Sequence, residues 1–97
     1  MRNYIVSYLS KYDSGTDWMT EDKTPEEVMM EYRDRYLPYY YDITIMEVDT
    51  LEVNDTDLTP GDVFEDVLRD GVDGDTASGI TRITLWEMVE TLTLVKE

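Results

Sequence analysis

Residues 80–95 read ITRITLWEMVETLTLV, and the fold turns on whether this run is a strand or a helix. Thr84 and Glu87 stand three apart, as a helix capping box requires. Against that, the run is rich in Ile, Thr and Val, whose branched side chains are stiff at χ1 and suit a pleated surface. The strand reading prevails, with a helix over 84–95 as the alternative. Residues 43–51, ITIMEVDTL, match 83–92, ITLWEMVETL, once Met88 is admitted as an extra residue, which a β-bulge would accommodate.

Working outward, a capped helix start precedes each of these segments. In TPEEVM (24–29) Thr24 can cap the free amides, Pro25 suits the first helical position and Glu27 completes a capping box. TPGDVF (59–64) repeats the grammar. Val28, Met29, Tyr32 and Tyr36 give the first helix an apolar face, and Leu37-Pro38 ends it. Val63, Phe64, Val67 and Leu68 do the same for the second helix. Residues 3–9, NYIVSYL, are apolar on both faces, as in a strand buried on both sides. Asp13-Ser14-Gly15 is a turn signal, so 16–20 can return as a hairpin partner. Residues 40–48 read as a strand continuing irregularly through 49–53, and 70–79 as a loop.

The expectation is one α+β domain over residues 1–97, with β(β)αβαβ order. Two helices pack on one face of a three- to four-stranded mixed or antiparallel sheet. The two TP-helix–strand segments are either a duplicated αβ unit or a chance likeness.

The chain has no histidine and no cysteine, which removes the usual general base, the commonest metal ligand and any thiolate. Its lysines, Lys11, Lys23 and Lys96, lie in no S-x-x-K motif, and there is no G-x-G-x-x-G or phosphate loop. The aspartates of DGVDGD (70–75) invite a calcium reading. As an EF-hand loop from Asp70, however, position 3 is Val72, position 6 is Asp75 and position 12 is Thr81, so the pattern fails. No enzymatic activity, cofactor or metal site is expected. The N-terminal MRNYIVSYLSKYDSG has no signal-peptide pattern and no apolar run is long enough to span a bilayer, so the expected location is cytoplasmic with no membrane partner.

What remains is charge. Twenty-three acids against eight bases leave a net charge of −15 on 97 residues. The usual range for a small soluble domain is about 2 to 8 in magnitude. Such a surface excludes direct nucleic-acid binding and suits a basic protein. Between Glu47 and Asp75 there are eleven carboxylates and one base, Arg69. Asp62, Asp66, Asp70 and Asp73 fall at helical spacing, expected opposite the apolar face, with Glu47, Asp49, Asp55, Asp57 and Asp75 extending the stripe. Carboxylates four apart on a helix rise about 6 Å, close to the phosphate interval, so such a row can occupy Lys/Arg contacts made for phosphates. Crowding also predicts raised carboxylate pKa values and stability that grows on mild acidification.

In size and composition the chain resembles the phage-encoded acidic inhibitors that mimic DNA and block host restriction or CRISPR machinery. The resemblance rests on the −15 charge in 97 residues, the missing His and Cys, and the acidic segment DVFEDVLRDGVDGD (62–75). It implies a non-enzymatic inhibitor in a host cytoplasm, bound to a basic nucleic-acid-binding protein, with a homodimer left open. Two rivals are a small viral assembly module that binds through an edge strand and the tyrosines at 39–41, and an acidic accessory domain with no strong partner.

Overall fold

A computed structural model describes residues 2–10, 13–36, 40–73, 75–88 and 92–96, with the backbone alone at Ser10, Tyr36, Tyr40, Tyr41, Asp73, Leu92, Thr93 and Lys96. The chain runs β1 (Arg2–Ser10), β2 (Ser14–Glu21), α1 (Pro25–Tyr36), β3 (Tyr40–Val48), β4 (Glu52–Val53) and α2 (Pro60–Asp70). A 3-10 turn (Gly71–Asp73), β5 (Ala77–Ser78), β6 (Ile83–Met88) and β7 (Leu92–Lys96) follow. Both helix starts form as expected. Glu27 N–H donates to Thr24 Oγ1 at 3.2 Å while Thr24 N–H donates to Glu27 Oε1 at 3.1 Å. Thr59 and Asp62 repeat the exchange at 3.2 and 3.1 Å. Leu37-Pro38 and Tyr39 lie outside the described residues.

The fold is α+β, but its sheet is larger than expected. Five strands pair in the order β2-β1-β3-β6-β7, every pair antiparallel, and β4 and β5 form a separate two-stranded ribbon. The run 80–95 supplies two of the five. β6 pairs with β3 in unbroken register from Ile43↔Met88 to Val48↔Ile83, so Met88 is no bulge. The chain then reverses into β7, and the irregularity lies there: Leu85 faces Lys96 and Trp86 faces Leu94, leaving Val95 as the extra residue.

The two helices do not share a face. Strand side chains alternate sides, and the core divides along that alternation. Tyr4, Val6, Ile43, Ile45 and Met88 pack with Val28 and Tyr32 of α1. Ile5, Met46, Val48 and Leu85 pack with Val63, Phe64 and Val67 of α2, together with Ala77 and Ile80. The sheet is therefore the middle layer of three. The cause is visible in NYIVSYL: Tyr4, Ile5 and Val6 are consecutive and all 0% exposed, which requires cover on both sides. The sequence repeat does not translate into symmetry about an axis normal to the sheet. Ile43 and Ile83 align in sequence yet pack toward opposite sides, as do the helices before them.

At the β1–β2 end, Gly15 faces Tyr8, and a Cβ there would stand 2.6 Å from the Tyr8 hydroxyl, so any other residue would displace that ring. α2 ends at Gly71, whose φ of 69° is unfavourable for other residues and whose N–H donates to the Val67 carbonyl.

Candidate functional site

The acidic candidates separate into carboxylates taken up by the fold and carboxylates left on its surface. Glu47 is the first kind. It lies on the α1 side of β3, and Arg2 grips it with two hydrogen bonds of 2.6 and 2.8 Å. That pairing raises the Arg2 pKa and leaves the Glu47 side chain 19% exposed. Burial, with Glu47 nearby, pushes the neighbouring Tyr4 hydroxyl up to about 12. Glu47 thus faces away from α2 and does not extend a stripe on it.

Asp49 follows β3 and fastens the segment leading into β6. It accepts from Thr81 N–H at 2.9 Å, from the Thr81 hydroxyl and from Arg82 N–H at 3.1 Å. These donors, the Thr81 hydroxyl foremost, hold its pKa at about 2.

Asp66 is the main correction on α2. It is buried at 6% exposure, accepting from the Thr76 hydroxyl at 2.8 Å, Thr76 N–H at 3.1 Å and Arg69 at 3.1 Å. The Thr76 N–H is the chief cause of its lowered pKa. Leu68, expected on the apolar face, is 51% exposed instead. The helix geometry explains the exchange. Residues i and i+4 differ by about 40° around the axis, so a row of them winds across the surface. The row starting at Asp62 turns toward the Val63/Val67 side of the helix and meets the core at its edge, while Leu68 falls beyond the opposite edge.

The remaining carboxylates point outward. Asp62 is exposed although one oxygen caps Thr59. Asp70 pairs with Arg69 at 3.1 Å and keeps 45% of its side chain exposed. Asp55 accepts from Asp57 N–H at 3.0 Å, and Asp57, Glu65 and Asp75 are exposed without a described partner. Three tethers join the β4–β5 ribbon to α2. Asn54 Nδ2 donates to the Asp75 carbonyl at 2.9 Å, Asn54 N–H donates to the Thr76 carbonyl at 2.9 Å, and Thr76 is bound to Asp66 of α2. The β4–β5 ribbon is thereby tied to α2, whose Asp62, Glu65 and Asp70 are exposed, as are Asp55, Asp57 and Asp75 beside the ribbon in sequence. The Asp73 side chain lies outside the described residues. Among the described residues no group of three acids is close enough to hold a metal ion, and no helix is long and apolar enough to cross a membrane.

The bases are placed unevenly. Lys23 pairs with Glu21 and Glu31 at 2.9 and 2.8 Å, and Arg35 with Glu31 at 3.4 Å, all on or near α1. Exposed pairs of this kind contribute little to stability, but they do cancel charge locally. On α2 only Arg69 does so. The crowding expectation for pKa is corrected at Asp49 and Asp66, which both move down, because hydrogen-bond donors outweigh the effect of desolvation.

One feature escaped the sequence reading. A groove of ≈ 390 Å³ crosses the end of the sheet, lined by Arg2, Glu47, Asp49, Arg82, Thr84, Trp86 and Leu94 among others. Register brings these residues together, since Glu47 faces Thr84 and Trp86 faces Leu94. No protein-family model, curated protein or solved structure matches this chain.

Proposed function

We propose that the chain is a non-enzymatic inhibitor that presents its α2-side carboxylates to a basic protein and occupies a cleft made for nucleic acid. What supports this most is the exposure of Asp55, Asp57, Asp62, Glu65, Asp70 and Asp75 on α2 and the segments tied to it, where Arg69 is the one base between Asp55 and Asp75. Like charges three or four apart on a helix destabilise it, and the self-repulsion of a −15 molecule opposes its compact state. Both effects are compensated once Lys and Arg side chains from a partner meet the carboxylates. The β4–β5 ribbon and α2 supply a rigid frame, so little ordering entropy is lost on binding. Asp66 and Asp49 hold that frame, and Glu47 holds Arg2 on the far face. They support the surface rather than belong to it.

An assembly module remains the second reading, favoured by the open edge of β7, where Leu94 and Val95 are 49% and 53% exposed. Capture from a host lysate with salt-gradient elution separates the two. An electrostatic competitor releases its partner steeply as salt rises. An apolar strand-edge contact holds, and that outcome removes the inhibitor reading.

A further inference from the structure

The groove at the end of the sheet is balanced in charge, with two arginines and two acids in its lining, on a molecule that is strongly acidic. Its acids are already engaged. Both Glu47 oxygens bind Arg2, and both Asp49 oxygens bind Thr81 or the Arg82 amide. The donor left over is the Arg82 side chain. It is exposed and forms no hydrogen bond or ion pair among the described residues, although the chain carries 23 acids. Beside it lies an apolar wall: Trp86, half-buried against the α1-side core, and Leu94, 49% exposed directly across from it. Thr84, midway between Arg82 and Trp86 in sequence, also lines the groove. The volume of ≈ 390 Å³ falls within the range of about 300–1,000 Å³ typical of small-molecule sites.

We infer that this groove binds a small aromatic monocarboxylate, its ring against Trp86 and Leu94 and its carboxylate on Arg82. A carboxylate fits because the groove offers an uncommitted guanidinium and no uncommitted acid. One negative charge fits better than two, because a single free arginine cannot offset a dianion brought toward a molecule of charge −15. The aromatic body follows from the indole wall, since stacked or edge-on rings add to simple area burial. This site lies on the α1 side, away from the acidic surface, and stands or falls independently of the inhibitor proposal.

Indole-3-acetate and its neutral analogue indole-3-acetamide are suitable probes, each titrated into the isotope-labelled full chain while amide shifts are followed. The expected result is that both probes move Thr84, Trp86 and Leu94, with the acid binding about tenfold more tightly than the amide, as one charge-assisted contact provides. Arg82→Gln should remove that preference and leave the amide's affinity unchanged. The variant should fold, because the Arg82 backbone, not its side chain, bonds to Asp49. The inference is overturned by equal affinity of the wild type for the two probes, by shifts centred elsewhere or absent, or by a preference that persists in Arg82→Gln.

Discussion

Asp66 and Glu65 are adjacent acids on α2 with different roles. Glu65 is exposed, whereas Asp66 sits at the core edge accepting three hydrogen bonds. Asp66→Asn would keep one acceptor oxygen and set an amide donor against either Thr76 or Arg69, so its melting temperature should drop by several degrees. Glu65→Gln should leave the melting temperature unchanged or raise it, since it removes a repelled charge and no contact. Thermal melts of the two variants check this, and equal behaviour would mean that Asp66 is not a fold residue. The same groups fix the acid response. Asp49 has a folded pKa of about 2 against an ordinary value of 3.8, and Asp66 is shifted in the same direction. A depressed folded pKa contributes stability that is present above the unfolded value and lost as pH falls through the folded one. Stability should therefore decline as pH drops from about 4 toward about 2, and Asp49→Asn should flatten that decline. A wild-type melting temperature that holds or rises across this window would contradict the assignment.

At the scale of elements, the two helices were legible because their signals are local. Thr24 with Glu27, and Thr59 with Asp62, each lie within one turn. The hairpin β6–β7 was not legible. The connection between Met88 and Leu92 is Val-Glu-Thr, with no Gly, Pro, Asn or Asp to announce a reversal, so two strands read as one. The roles of Glu47, Asp49 and Asp66 were hidden for a different reason. Their partners Arg2, Thr81 and Thr76 are 45, 32 and 10 residues away, and only the fold brings them together. The apolar face of α2 was legible except at its border, where Leu68 and Asp66 exchange places. That border gives a simple test. Val67→Ala empties space in the core and should cost about 2 kcal/mol, while Leu68→Ala should stay within about 0.5 kcal/mol. Denaturant unfolding of the two variants measures both. A larger loss for Leu68→Ala would mean that α2 is rotated from the position described.

For the whole molecule, NYIVSYL already stated the architecture: a strand apolar on both faces needs a layer on each, and α1 and α2 provide them. The three-layer arrangement also separates the surfaces. α1 carries two bases, Arg33 and Arg35, for its four acids, with Lys23 paired to Glu31 beside it, while α2 carries Arg69 alone for four. Added salt at neutral pH should therefore raise the melting temperature by screening this repulsion. A melting temperature indifferent to salt would mean that the acids are too dispersed to act together. The central claim is that this particular surface, rather than net charge alone, displaces nucleic acid from a basic partner. Two charge-matched variants separate these possibilities. One neutralises Asp57, Glu65 and Asp75 on the α2 side, and the other neutralises Asp22, Glu26 and Asp34, which are exposed around α1. The measurement is release of a labelled duplex from the captured partner as each protein is added. The wild type and the α1-side variant should release the duplex at similar concentrations, and the α2-side variant should fail. Equal release by both variants, or none by the wild type, would contradict the claim.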